Sequence, residues 1–335
     1  PNSGCGSWLL EPQSTNLVTQ SELFSQWNSD DATLISNSVV SPDGTQNAST
    51  LIGSTVNSRH NISKSVSGSV DASFSLFVKA KELKYLQIAS INTPTQYVNF
   101  DVESGIIGTV GVDFSNAKIE NYGNGWYRVS VVSLNQYNAY YISLVSGLNV
   151  GWLESWVMPN NTDGLYIWGA QVEQNSYPTS YIPTQGATST RLQDIANNSG
   201  NASLINSEEG TLYVDYKLVN QFPSFPGIQI TDDSLQNQVS FYTYNNSLTY
   251  YVKSNNINTV LNTEALSENT DYKLAISYSY LETSLYLNGE KKASYLNKDM
   301  PLDLRKIIIN VNGNVSKYKA LAVYKTALTD ASLRS

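Results

Sequence analysis

Thr283-Ser284-Leu285-Tyr286-Leu287-Asn288-Gly289-Glu290-Lys291-Lys292-Ala293-Ser294 reads as two antiparallel strands closed by a two-residue turn. Asn and Gly accept the positive φ that a tight hairpin demands, so Asn288-Gly289 fixes the reversal and the flanking runs pair. The same grammar recurs outward along the chain. Ser73-Phe74-Ser75-Leu76-Phe77-Val78, Tyr127-Arg128-Val129-Ser130-Val131-Val132 and Thr211-Leu212-Tyr213-Val214-Asp215-Tyr216 alternate with period two, which sends one set of side chains inward and the other outward. Pro42-Asp43-Gly44 and Asn121-Tyr122-Gly123-Asn124-Gly125 supply further turns. Helical periodicity is nearly absent. The expected fold is all-β: two consecutive antiparallel β-sandwich domains of jelly-roll type.

Two domains also follow from length, because 335 residues exceed what one core usually spans. Between Pro183 and Ile205 the chain is polar and poor in apolar residues, the best linker candidate. All six tryptophans precede it, whereas 13 of the 23 tyrosines follow residue 205, so the halves are not a tandem repeat. The expected division is 1–14 as the end of an upstream region or linker, 15–185 as the first sandwich, 186–205 as linker and 206–335 as the second sandwich.

Charged residues make up 14% of the chain, below the usual quarter, so the polar surface is built from Ser, Thr, Asn, Gln and Tyr. Such a surface suits neutral, hydroxyl-rich partners. The net charge of -8 and the lack of any basic stripe argue against nucleic acid. Cys5 is the single cysteine, which excludes an intrachain disulfide. No apolar run is long enough to span a bilayer, so no membrane insertion is expected. The start at Pro1 reads as a fragment or mature product of a longer chain.

Three segments of the first half resemble the carbohydrate-binding-module-like jelly rolls of phage tail-fibre and head-spike proteins. They are Leu9-Leu10-Glu11-Pro12-Gln13-Ser14-Thr15-Asn16-Leu17, Asn124-Gly125-Trp126-Tyr127-Arg128-Val129, and Leu165-Tyr166-Ile167-Trp168-Gly169-Ala170-Gln171-Val172-Glu173 continuing through Tyr177-Pro178-Thr179-Ser180-Tyr181-Ile182-Pro183. The second half is similar to laminin-G or concanavalin-A-like sandwiches in Glu209-Gly210-Thr211-Leu212-Tyr213-Val214, Leu285-Tyr286-Leu287-Asn288-Gly289-Glu290 and Leu321-Ala322-Val323-Tyr324-Lys325-Thr326-Ala327-Leu328-Thr329-Asp330-Ala331. The resemblance implies a virion fibre or spike protein, a homo-oligomer with a trimer favoured, contacting other virion proteins and attaching to a host cell-surface glycan or other surface receptor. It supplies no binding residues, because the motifs look like folding determinants; Trp126 and Trp168 are expected to pack.

Catalytic groups are scarce. His60 is the one histidine, in a polar Arg59-His60-Asn61 segment expected at the surface, and zinc sites built on several His or Cys are excluded. No Glu-x-Asp-x-Glu strand offers the paired carboxylates of a glycosidase, and Glu208-Glu209 and Asp232-Asp233 point their members to opposite faces if extended. The second half lacks the histidine that an alginate-lyase-type site would need. No enzyme is expected, and no cofactor beyond a calcium ion that Asp232, Asp233 and neighbouring carbonyls could hold.

Saccharide recognition needs aromatic planes beside amides or carboxylates. In Gly151-Trp152-Leu153-Glu154-Ser155-Trp156-Val157 the two tryptophans stand four apart, on one face if the segment is a strand; the alternative is that both fill the core. Tyr140 and Tyr141 follow Asn138, and Tyr242, Tyr244 and Tyr250 flank a hairpin at Asn245-Asn246-Ser247. These seven residues are the candidate ligand contacts. The expected function is non-catalytic attachment to glycans. The alternatives are a purely structural head-fibre or capsid-decoration protein and an accessory glycan-binding module of a secreted bacterial protein.

Overall fold

The computed structural model of the protein describes residues 8–68, 70–90, 94–134, 137–194, 196–219, 227–244, 247–296, 300–310 and 316–333. They form two units, one spanning 14–191 and one made of the segments on either side of it. Each is an antiparallel β-sandwich, as the alternation and turn chemistry require.

In the unit 14–191, sheet I runs Ile106–Val110, Tyr97–Asp101, Tyr85–Ser90, Tyr137–Leu144, His60–Gly68, Asn28–Asp30. Sheet II runs Phe114–Gly123, Trp126–Ser133, Ala72–Ala80, Gly164–Glu173, Ala48–Gly53, Ala32–Val39. Hairpins of consecutive strands sit at the edges, while the central pairings, such as Tyr85–Ser90 with Tyr137–Leu144 and Gly164–Glu173 with Ala48–Gly53, join strands far apart in sequence, a jelly-roll pattern that closes the core only after long-range pairing. Leu86, Ile88, Phe100, Tyr140 and Ile142 from sheet I meet Phe74, Leu76, Val129, Val131 and Ile167 from sheet II in one buried cluster.

Trp126 and Trp168 are buried as expected, but not between the sheets. They form a separate cluster with Phe77 and Ala48, against which Tyr181 packs. Gly169 explains why. Leu165 and Ile167 point into the main core, and so do Ala170 and Val172, so the inward parity changes in mid-strand. The register against Ala72–Ala80 slips between Trp168 and Gln171, and Gly169 there has φ of +63°. A glycine in left-handed conformation is what a β-bulge of this kind needs. The bulge puts Gln171 and Glu173 on the face opposite the core, where the segment 177–184 folds over them.

That fold-over is held by buried polar groups. Glu173 accepts from Ser14 Oγ, from Thr179 Oγ1 and N, and from Gln171 Nε2. Asn16 donates to Ala170 O and Ile182 O and accepts from Val18 N and Val172 N. The motif residues of the first half therefore tie the ends of the unit together. Within the expected linker, Ser189–Arg191 pairs with Ser14–Asn16.

The second unit has sheet III, in the order Trp8–Leu10, Ser316–Tyr324, Glu209–Leu218, Thr270–Ser279, Glu282–Leu287, Glu290–Leu296, and sheet IV, in the order Ala196–Ser199, Lys306–Asn310, Gly227–Thr231, Gln238–Tyr244, Ser247–Ser254, Ile257–Ala265. Its core joins Leu212, Val214, Leu274 and Ile276 to Ile228, Ile230, Val239 and Tyr250. The hairpin at Asn288-Gly289 has φ of 50° and 81° at those residues, and Leu287 pairs with Glu290. Trp8–Leu10, in the stretch expected to lie upstream, adds an edge strand to this sheet. No helix among the described residues is long and apolar enough to cross a membrane.

Candidate functional site

The connection 145–163 between strands Tyr137–Leu144 and Gly164–Glu173 carries both tryptophans expected to bind ligand, and it is a docked loop rather than a strand. Its only sheet-like contact among the described residues is a bridge in which Ser58 and Trp156 exchange backbone bonds. Period-two reasoning fails here because it presumes a paired strand.

What holds the loop is a pair of amides, Gln87 and Asn99, within a polar row on the outer face of sheet I. Asn61, Ser143, Gln87 and Asn99 lie in register across four neighbouring strands, and all are buried. Gln87 donates to Asn99 Oδ1 (2.8 Å) and Gly151 O (2.9 Å) and accepts from Leu153 N (2.7 Å), while Asn99 donates to Val150 O (2.8 Å). Leu153 sits at φ of 41°, a left-handed conformation that a leucine adopts only when its surroundings enforce it.

The two rings then diverge. Trp152 donates through Nε1 to Ser90 O (3.1 Å), and the Arg59 guanidinium lies 5.2 Å from its ring centroid, so the indole reaches across the strand between them. Trp156 donates to Leu144 O (3.1 Å), lies edge-on to His60, and packs one side against the main core. It also lines a cleft of about 420 Å³ with Lys81, Glu82, Lys84, Tyr85, Glu103 and Ser146. Trp152 does not line this cleft.

His60, expected at the surface, is fully buried, with its ring nitrogens 2.9 Å from Asp31 O and 2.9 Å from Trp156 O. Its strand parity places it on the same face as Ile62. Together these contacts fix Trp156 in position, so a ligand meeting the ring would not have to order it.

The cleft charges are paired. Lys84 bonds Glu103 (3.0 Å), which with the charge of Asp101 raises the lysine pKa. Burial alone would raise Glu82; the bond and charge of Lys81, with the N–H groups of Glu82 and Gly164, outweigh it and lower the carboxyl. A general acid needs a raised carboxyl, and Glu82 is displaced the other way. Among the described residues the raised carboxyl is Glu22, which accepts from Tyr181 and Asn47 and does not line the cleft. Accepting carboxylates and donating ammonium groups beside an indole face suit hydroxyl-rich rings. The charged run Lys81-Glu82-Leu83-Lys84, unusual in so weakly charged a chain, was the available signal for these residues.

The other expected contacts disperse. Tyr140 is fully buried, stacked on Phe74 at 4.7 Å with its hydroxyl at Ser133 (2.8 Å), because it shares inward parity with Ile142 and Leu144. Tyr141 faces outward, half-buried between Ser63 and Ala89. Tyr250 is likewise a core residue, between the inward Leu248 and Val252. Tyr140 and Tyr250 are therefore corrected from ligand contacts to core. Tyr242 is half-buried on the outer face of sheet IV, and burial raises its pKa. The side chain of Tyr244 and the turn 245–246 lie outside the described residues.

Asp232 accepts from Ser234 Oγ, Gln236 N and Asn237 Nδ2, and Asp233 faces Arg305 and Lys306 at 3.2 and 3.3 Å. Both carboxylates expected as calcium ligands thus have protein partners. Among the described residues no group of three or more His, Cys, Asp or Glu side chains is placed to hold a metal.

No protein-family model matches the sequence, and no curated protein matches it. Solved structures match in part. The carbohydrate-binding module CBM40 of the Ruminococcus gnavus IT-sialidase, solved also with sialyllactose, is 15% identical over 42% of this chain and 93% of its own, with a TM-score of 0.34. A botulinum neurotoxin type C structure, described as dependent on two ganglioside molecules for cell entry, is 13% identical over 38% of this chain and 34% of its own, with a TM-score of 0.32. The serotype D binding domain is 15% identical over 43% and 42%, with a TM-score of 0.34. These are partial superpositions of low identity, and the ligands named belong to those proteins.

Proposed function

We propose that this chain is a non-catalytic attachment module that holds a saccharide in the cleft beside Trp156. The supporting observation is the fixed, half-covered indole: its nitrogen and backbone are tied, one side packs on the core, and the cleft beyond it offers carboxylates and ammonium groups. The apolar C–H face of a pyranose would lie on the ring while its hydroxyls bond Glu82, Glu103, Lys81 and Lys84. The motifs of the first half support a setting in a virion fibre or spike, assembled as a homo-oligomer with a trimer favoured and directed to host-surface glycans.

A glycan array probed with the full chain tests this. Specific binding that falls about tenfold or more in Trp156→Ala supports it. No signal across the array, or binding that the substitution leaves unchanged, refutes it. Labelling of particle appendages by an antibody against the chain supports the fibre setting; labelling confined to cells that carry no particles overturns it.

A further inference from the structure

On the outer face of sheet III, Tyr213, Ala275 and Tyr286 stand in register on adjacent strands, with Ala275 in the middle. The short alanine side chain, 4% exposed, is the floor between two tyrosines whose backbones lie about 9–10 Å apart at ordinary strand spacing. All three line a groove of about 450 Å³. Tyr286 is 3% exposed and its hydroxyl bonds Asp330, so it is held in place; Tyr213 is partly exposed and lines the groove. One row along, Asp215, Lys273 and Asn288 line the rim, and the hairpin turn is tied back to it by Asn288 N to Lys273 O (2.7 Å) and Lys273 N to Asn288 Oδ1 (2.9 Å). Lys319 bonds Asp271 (2.9 Å) at the other edge.

We infer that the second unit has a saccharide site of its own, in which Tyr213 is the stacking platform and the rim groups bond ring hydroxyls. Asp215 and Asp271 balance Lys273 and Lys319, so the groove carries no formal net charge, which favours a neutral sugar over a sulfated or carboxylated one. The geometry is independent of the Trp156 cleft. Two sites on one chain, multiplied in an oligomer, would raise avidity without new contacts.

The experiment measures saturation transfer from the full chain to the methyl pyranosides of glucose, galactose and N-acetylglucosamine, in the wild type, Trp156→Ala, Tyr213→Ala and the double variant. The expected result is transfer to at least one sugar that persists in Trp156→Ala and falls about tenfold when Tyr213→Ala is added. Asp215→Asn, a change on the outer face, should weaken the same signal while unfolding behaviour stays that of the wild type. Loss of all transfer in Trp156→Ala alone overturns this inference and leaves the first site standing. Transfer abolished by Tyr213→Ala and untouched by Trp156→Ala sustains this inference and refutes the first. Equal transfer in Trp156→Ala and the double variant also overturns it.

Discussion

Replacing Asn16 by alanine should weaken the unit 14–191 out of proportion to the few atoms removed. The side chain is fully buried and makes four hydrogen bonds: to Ala170 O at 3.2 Å and Ile182 O at 2.8 Å as donor, from Val18 N at 3.0 Å and Val172 N at 3.1 Å as acceptor. At a net contribution of about 0.5–1.5 kcal/mol each, the sum is about 2–6 kcal/mol. Backbone groups left without partners in a site closed to water push the value up, and an entering water would lower it. The expected loss is about 3–5 kcal/mol, a large part of the stability of an ordinary domain. Urea unfolding followed by tryptophan fluorescence reads it cleanly, because every tryptophan except Trp8 lies in this unit. Asn16→Asp is the companion: it keeps the acceptor but sets a carboxylate against two carbonyls, so it should lose at least as much. A shift below about 1 kcal/mol in Asn16→Ala would show that the amide is not what closes the ends of the unit.

Gly169→Ala should cost about 1–3 kcal/mol, measured the same way, since a Cβ at φ of +63° would also stand 3.1 Å from Phe77 and 3.2 Å from Tyr181. Tyr140→Phe should cost about 1 kcal/mol by losing the bond to Ser133, yet leave the glycan-array profile unchanged, because the ring faces the core. Glu22 gives a pH test. Burial raises its folded pKa above the usual 4.5, so its favourable contribution is complete below 4.5 and is lost as pH rises through the folded value. Glu22→Gln should flatten that part of the stability-versus-pH curve and be neutral or stabilising at pH 7, helped by Asn47 Oδ1, which is buried without a partner. A curve in Glu22→Gln that still falls above pH 4.5 as steeply as in the wild type would rule this out.

Local signals carried most of the fold into view. The Asn288-Gly289 turn, the alternating strands and the lack of helical periodicity are each decided within a few residues, and each appears in the structure. The bulge at Gly169 was not legible, because its evidence is a change of inward parity between Ile167 and Ala170 that acquires meaning only against a paired strand. The pairing of Ser189–Arg191 with Ser14–Asn16 was invisible for a similar reason: three-residue strands of Ser, Thr, Asn and Arg have no apolar period, and their register is set by the Asn16 and Glu173 bonds behind them. Parity could have separated the two adjacent tyrosines. If Ile142 and Leu144 point inward, Tyr140 must join them and Tyr141 must not.

The tryptophans show why residue type alone could not locate the site. Trp27, Trp126, Trp152 and Trp156 each give their indole N–H to a backbone carbonyl, of Gln20, Val40, Ser90 and Leu144 respectively. That bond satisfies a polar group and is the same for a core anchor and a ligand platform. What differs is the second face of the ring. Trp126 is 3% exposed, covered by its own cluster on the outer side of sheet II, whereas Trp156 has core on one side and a cleft on the other. The cleft exists because the connection 145–163 is pulled onto the outer face of sheet I by Gln87 and Asn99, two amides whose partners are backbone atoms of residues 150, 151 and 153. Polar residues on the outward face of two strands are here the reason that the loop, and the indole it carries, has a fixed place.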